Sequence, residues 1–490
     1  MTETTHKRLK LPVSDVTCLG ADNSGPGGAP RTDLRLQLGL LRAAGAWAPH
    51  RGPSTSASSL LYDAYSAGVI LLLLAFVGSQ VSAMLHFWGD ILSVTTNACV
   101  TFTYTMAIFK LLVVLTMRRS AEHLINELNR CMQEYGRELA GEKASVFARC
   151  GRRARRVVVG HVAIGAVAYV CGVALPAVRG RVCPAASCRA RDGFPVLVWY
   201  PFPFTVSPAY EALDGSPPVP ASKHRQRVRS AQQRLNHTIW RYKLRAAGSD
   251  KRQAVDGYSK RGPAMAHGLM FAGVSLGFFY GYILSTTLDG FFVTLIIYLS
   301  GQLRLLNLMA ESMCSVQPAH SRRDVAAPAD TSEECVRRRL AQCVRYHTDV
   351  DRCVQQLSTL LGPILLGQVL ADVVTISATA FVTTTGKTDS GWVFKYGSYL
   401  AAIAEQLLLY CWFGNDVLTE SERLQLSAYS SQWVGASPRC RKELRLFLCR
   451  AHSPLRLTAS KFYTISRETF LLLMNASFSY YAVLRQLNSD

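Results

Sequence analysis

Seven apolar runs constrain this chain more than any other feature, because most of them approach the roughly 20 residues that carry a helix across a bilayer. They occupy positions 65–85, 98–117, 157–178, 271–299, 357–382, 396–414 and 465–487. The first contains "GVILLLLAFVGSQVSAML"; the second, sixth and seventh are less apolar than the rest. Backbone groups in lipid have no water to bond, so segments of this length cross as helices that satisfy themselves. The expected fold class is therefore an all-α integral membrane protein with seven transmembrane helices. Residues 1–59 are polar and rich in Gly, Pro, Ser and Arg, with no short apolar core of a signal peptide, so the first span is expected to act as an uncleaved anchor.

The formal net charge of +21 would suggest nucleic acid in a soluble chain. In a membrane chain it reads differently, since Arg and Lys collect on the cytoplasmic side, where anionic lipid attracts them. The loop 118–156 is flanked by "MRRS" and "GRRARR". The loop after the fourth span carries "SRRD" and "VRRRL", and the loop after the sixth carries "PRCRKELRLFLCR". The loops after the first and fifth spans hold almost no basic residue. This alternation places the N-terminus in the cytoplasm and the C-terminus outside, against a membrane-lipid environment and with no nucleic-acid partner. One outer loop departs from the pattern: 179–266 contains "KHRQRVRSAQQRLNHTIWRYKLR". A loop this long carries little weight in the orientation rule.

Chemistry-bearing motifs are sparse. There is no Gly-rich phosphate loop and no nucleophile elbow, so no enzyme and no cofactor are expected. The 14 cysteines show no metal-site spacing, and His161 and His237 lack a metal-type partner at helical spacing. Cys183 and Cys188 share the second outer loop, either as a disulfide or as two free thiols. Asn236 opens a glycosylation acceptor in the same loop; Asn475-Ala476-Ser477 has the same pattern but falls within the seventh span. Lys110, Asp289, Asp372 and Glu405 lie in or near apolar spans, where charge is costly and often functional. Structural pairing accounts for them equally well.

Several segments carry a family resemblance. "CWFGNDVLTESERLQLSAYSSQW" and the C-terminal "SPLRLTASKFYTISRETFLLLMNASFSYYAVLRQL" resemble the end of the sixth helix and the last helix of insect odorant receptors. "WYPFPFTVSPAYE" is similar to that family's second outer loop, "GYILSTTLDGFFVTLIIYLSGQLRLL" to its fourth helix, and "LLRAAGAWAPHRG" to the segment before its first. The matches extend from Leu40 to the C-terminus. The resemblance implies an odour-tuned subunit of a non-selective, ligand-gated cation channel. Such a subunit joins a common co-receptor in a tetramer around one pore, in the plasma membrane of a sensory-neuron dendrite. It divides the chain into a cytoplasmic segment 1–59, helices one to three in 60–178, the second extracellular loop in 179–270, and helices four to seven in 271–490 with a cytoplasmic anchor and a pore helix. Two stretches depart from the family: 1–32 reads as extra sequence, and 214–266 is a basic insertion, either genuine or a gene-model artefact.

The resemblance also assigns candidate sites. Val483 and Leu487, four apart in "SYYAVLRQL", share a helix face and would form an apolar gate that blocks ions by dewetting, with Gln486 as a polar lining. Packing against lipid or another helix is the alternative. Arg485 would snorkel to the outer head groups. The family's pocket lies among helices two, three, four and six, where an odorant gains about 25 cal/mol per Å² of apolar area buried. Tyr396 and Tyr399 are the first candidates, followed by Phe102, Tyr104, Tyr169, Phe279 and Tyr280; alternatively these belong to the interfacial aromatic belts. The amphipathic stretch 416–433 brings Leu424, Tyr429 and Trp433 near one side, as a subunit contact or as a surface helix. A gustatory-type homomer is the related alternative, although that branch's motif ends Gln-Phe where this chain has Gln486-Leu487. A G-protein-coupled receptor would require the opposite topology and an Asp-Arg-Tyr-like triplet that is missing after the third span.

Overall fold

A computed structural model describes residues 34–47, 57–182, 249–314, 329–385, 390–460 and 462–487. Cys183, Cys188, Asn236 and most of 214–266 lie outside them. The described elements are helical apart from one short hairpin. They run α1 (Arg35–Ala43), α2 (Ala57–His86), α3 (Ile91–Thr116), α4 (Arg118–Glu134), α5 (Ala140–Val182), α6 (Ser249–Ser312), α7 (Ala329–Thr385), α8 (Ser390–Tyr429), α9 (Pro438–Ala451) and α10 (Arg467–Leu487). Five of these, α2, α3, α5, α6 and α7, contain stretches long and apolar enough to cross a membrane. The sixth and seventh expected spans are the helices α8 and α10, in which polar residues dilute the apolar run.

Local chemistry explains where the helices begin. Asp90 caps α3 by accepting from the Ser93 backbone N–H at 3.3 Å and from its hydroxyl at 2.6 Å. Ser437 caps α9 in the same way, with Pro438 in the first turn, where its missing N–H is harmless. α4 is amphipathic, and its buried residues Ala121, Leu124, Ile125, Leu128 and Cys131 recur at helical spacing.

α6 is the central column. Between Leu284 and Ala310 nearly every side chain is buried, including Phe291, Leu295, Tyr298, Leu303 and Leu306. A helix apolar all round is one surrounded by others, and α6 packs against α5, α8, α7, α3, α1 and α2. Its backbone is helical from Ser249, within the stretch that reads as the end of the basic insertion. At one end of the bundle α4, α9 and the continuations of α6, α7 and α8 form a lobe. An antiparallel hairpin pairs Thr458 with Thr464 and Ala459 with Tyr463, packs on α7, and leads into α10.

The stretch 416–433 corrects one expectation. Leu424 is buried while Tyr429 is 60% exposed, so the two do not share a side. Five residues advance about 140° around an α-helix, enough to separate the faces. Tyr429 instead meets Trp433, with ring centroids 6.0 Å apart.

Candidate functional site

Four helices, α3, α5, α6 and α8, surround a cavity of about 100 Å³ in the half of the bundle away from the lobe. Aromatic rings make its walls: Tyr104 from α3, Tyr169 from α5, Phe278 and Tyr282 from α6, and Tyr399 from α8. Two glycines make room for them. A Cβ on Gly281 would lie 1.9 Å from Tyr104 Cε1, and one on Gly165 would lie 2.6 Å from Tyr282 Cε2. The rings therefore sit in slots that any other residue would close. The hydroxyls bond to protein acceptors. Tyr104 donates to the Phe278 carbonyl at 2.9 Å, Tyr282 to the Val162 carbonyl at 2.5 Å, and Tyr399 to the Cys99 carbonyl at 3.0 Å.

Beneath this apolar space, toward the lobe, lies a buried charged cluster. Lys110 Nζ is 2.7 Å from Asp289 Oδ1, and both side chains are 1% exposed. Tyr410 donates to Asp289 Oδ1 at 2.6 Å, Gln406 Nε2 to Oδ2 at 2.5 Å, and the Ser285 hydroxyl to Oδ2 at 3.3 Å. Four donors on one carboxylate offset the large cost of holding a charge away from water. His161 stands at the edge of this cluster, with Nδ1 2.7 Å from Glu405 Oε2 and Nε2 4.0 Å from Asp289 Oδ2. His161, Glu405 and Gln406 also line the cavity, so the cluster is its floor. Asp372 is buried nearby and accepts from Gln368 Nε2 at 2.5 Å.

The residues singled out from sequence fall in three places. Tyr104, Tyr169 and Tyr399 line the cavity. Phe102 and Phe279 are 43% and 40% exposed; Phe279 meets Tyr169 edge-on at 5.9 Å, and Tyr280 packs partly buried at the core margin. Tyr396 belongs to a separate cluster with Phe381 and Val382, against which Tyr481 and Leu484 of α10 pack. Tyr396 and Tyr399 therefore serve different neighbours. Of the four charged positions, Lys110 and Asp289 pair with each other, Glu405 pairs with His161, and Asp372 is held by Gln368.

His161, Tyr282, Gln406 and Tyr410 were not legible as site residues from sequence. A histidine inside "VVVGHVAIGAVAY" is the one available signal, since ionisable residues within spans are rare and usually paired.

α10 packs only on α7 and α8 among the described elements, apart from minor contacts. Thr469, Leu473 and Ser477 form its buried side, and the Ser377 hydroxyl bonds the Ser477 carbonyl at 2.8 Å. Leu471, Leu472, Phe478, Tyr480, Val483 and Leu487 face away from the chain, with Val483 54% and Leu487 64% exposed.

Comparison with known proteins gives this architecture a family. A family model described as 7tm Odorant receptor matches residues 267–478. Odorant receptor 13a of Drosophila melanogaster is 26% identical over 216 residues, 42% of this chain and 49% of that protein. The odorant receptor coreceptor of Anopheles gambiae is 29% identical over 159 residues, 32% of each chain. The matches therefore span about half or less of these relatives' length. Among solved structures, olfactory receptor OR5 of Machilis hrabei in complex with eugenol is similar with a TM-score of 0.68 and 17% identity. That match covers 93% of this chain and 97% of that one, and it speaks for the fold. The helical membrane architecture and these similarities agree: in sequence over residues 267–478 and in fold over most of its length, the chain is similar to insect odorant receptors.

Proposed function

We propose that this chain is an odour-tuned subunit that binds small apolar ligands in the cavity among α3, α5, α6 and α8 and gates a cation channel assembled with a common co-receptor. The observation that carries the reading is the placement of α8. One turn of that helix puts Tyr399 in the cavity wall and Tyr396 in the cluster with Phe381 and Val382 on which Tyr481 and Leu484 of α10 pack. A ligand that displaces Tyr399 therefore pushes on the same helix that braces α10. Packed interfaces are bistable rather than continuously deformable, so a small shift at one site is amplified at the next.

In this reading α10 lines the pore. Val483 and Leu487 form the apolar constriction, and Gln486 supplies a polar lining when the helix turns. The exposed apolar face of α10 supports it, because a single chain leaves that face without a protein neighbour and an assembly would cover it. The lobe would lie in the cytoplasm as the surface where subunits meet, and the N-terminus would lie on the same side.

The test is electrical. The chain is expressed with and without an insect odorant co-receptor, and whole-cell current is recorded under a mixed panel of volatiles. A cation current that requires both subunits and a volatile is expected. Val483→Ala and Leu487→Ala should raise current in the absence of ligand. Current from this chain alone would overturn the shared-pore reading in favour of a homomeric channel.

A further inference from the structure

We infer that a basic pocket at the lobe end of the spans, where α5, α6, α8 and the first residue of α10 meet, binds the headgroup of a lipid that carries phosphate monoesters, a phosphoinositide. The inference goes beyond the ligand cavity and the pore. It rests on the reading of the lobe as cytoplasmic, the side of the membrane that presents such lipids.

Three helices bring arginines to one place. Arg149, Arg153 and Arg156 follow one another at spacings of four and three on α5, so they share a face. Arg304 comes from α6, and Arg467 opens α10. All five line a pocket of about 590 Å³, together with Asp416 and Glu420 of α8. That volume lies within the roughly 300–1,000 Å³ of sites that take small molecules. Arg304 is the single exposed residue of α6 between Leu284 and Ala310, a column otherwise closed by its neighbours. The column opens at one point, and a guanidinium stands there.

The charges in the pocket do not balance. Asp416 is shared, 2.8 Å from Arg153 and 3.3 Å from Arg467. Glu420 accepts from Asn307 Nδ2 at 3.1 Å. Among the described residues no carboxylate lies at salt-bridge distance from Arg149, Arg156 or Arg304, and Arg156 reaches only the Arg152 carbonyl, at 3.4 Å. Arg153 lies over the Phe413 ring, 4.7 Å from its centroid, and Arg467 over the Trp412 ring at 3.9 Å. The rings fix the planes of both groups, and a planar guanidinium bonds phosphate through two parallel N–H groups. A phosphate monoester carries about −1.5 to −2 charges and three strong acceptor oxygens. That exceeds the diester of an ordinary phospholipid and answers several guanidiniums at once.

The pocket also stands at the level of lipid headgroups. On α5 the exposed apolar residues Val159, Ile164, Val167 and Val170 begin directly after Arg156. On α10 the exposed Leu471 and Leu472 follow Arg467 by about one turn, and on α8 the exposed Trp412 and Leu408 lie on the side of Asp416 away from the lobe. Asp416 ties Arg153 to Arg467, so three helices pass from charge to lipid-facing apolar surface at one height. A headgroup in the pocket leaves its acyl chains along the apolar face of α5. It also bonds the first residue of α10 in competition with Asp416.

The test is binding to the purified full-length chain in detergent, read as the rise in Tm with ligand concentration. The probes are dioctanoyl phosphatidylinositol 4,5-bisphosphate, dioctanoyl phosphatidylserine and soluble inositol 1,4,5-trisphosphate. The bisphosphate lipid should act at about tenfold lower concentration than either of the others. Arg304→Gln and Arg149→Gln, at exposed positions, should each weaken it by about tenfold. Arg439→Gln removes the same charge from a 72% exposed site on α9 and should leave binding unchanged. No shift, an equal shift from phosphatidylserine, arginine variants that bind as the wild type does, or an equal loss in Arg439→Gln would overturn the proposal. An equal shift from inositol trisphosphate would overturn the membrane as the source of the phosphate. If one of the two pocket variants fails to fold, the other carries the comparison. The readout needs no odorant, co-receptor, current or membrane orientation. Its failure therefore leaves the channel reading and the placement of the lobe as they stand, and their failure leaves the binding result as it stands.

Discussion

The two halves of the bundle are built to opposite ends. In the lobe, a chain of polar groups closes on itself, although His347 Nε2, Asn307 Oδ1 and Gln356 Oε1 are buried there without a partner. Gln302 Nε2 donates to the Leu128 carbonyl at 3.0 Å, and its Oε1 accepts from the Tyr346 hydroxyl at 2.5 Å. The Tyr346 ring stacks on Tyr135 at 4.4 Å, and Tyr135 donates to Asp349 at 2.7 Å. Burial, and then the Asp349 carboxylate, raise the Tyr135 phenol above its usual pKa, so it remains a donor at neutral pH. In the cavity half, glycines leave slots, rings line a space, and His161 Nε2 and Asp372 Oδ2 lack partners. The halves therefore differ less in unpaired groups than in what surrounds them, a linked hydrogen-bond chain in the lobe and an aromatic-lined space in the other half.

The largest test of that contrast falls on the boundary between the halves. Asp289→Ala would strand Lys110 at 1% exposure without its hydrogen-bonded partner, at a cost of about 3–5 kcal/mol. Surface labelling should show most of the protein lost. The double change Lys110→Met with Asp289→Leu removes both charges and should recover much of the lost expression, because apolar replacement of a buried pair is often neutral. Equal loss in the single and double variants would mean that Asp289 matters for something other than this pairing.

A smaller effect is expected at Gly281→Ala. The added Cβ meets the Tyr104 ring at 1.9 Å, so the ring must leave its slot, and overpacking of this kind costs typically about 1–3 kcal/mol. Because Tyr104 is a cavity wall, ligand sensitivity should fall further than Tm does. In the lobe the corresponding change is Tyr346→Phe. It leaves the buried Gln302 Oε1 without its donor, at roughly 1–3 kcal/mol. Here the expected signature is a lower Tm with an unchanged ligand rank order. If Tyr346→Phe altered selectivity as much as Gly281→Ala, the two halves would not be separable.

The contrast also explains what could be read in the sequence. Hydropathy is a local property, so the spans and the all-helical class stood out directly, least clearly in α8 and α10, where charged and polar residues interrupt the run. Tyr104, Tyr169 and Tyr399 could be picked as aromatics at the right depth in their helices. Tyr396 could not be told from Tyr399, because three residues on a helix leave two side chains about 60° apart. Both hydroxyls reach α3, Tyr396 at Thr96 and Tyr399 at Cys99 and Thr103, yet that angle leaves only Tyr399 in the cavity wall. The Lys110–Asp289 pair joins positions 179 apart, and no local pattern links them. His161 carried a signal as an ionisable group within a span, but its partners Glu405 and Asp289 come from two other helices.

The smallest expected effect distinguishes the lobe's interior from its rim. Arg450 lies 2.7 Å from Asp351, a geometry as good as that of Lys110 and Asp289. Yet the Arg450 side chain is 50% exposed, so water and salt screen the pair and side-chain entropy opposes it. Arg450→Ala should therefore lower stability by less than about 1 kcal/mol, a change in Tm near the limit of detection and smaller still at high ionic strength. The same N–O distance thus predicts near loss of the protein at position 289 and almost nothing at position 450, the difference lying in the solvent around each pair. A large loss on Arg450→Ala would show that this face of the lobe is covered in the assembled protein, and so that the pair is buried against another subunit rather than open to water.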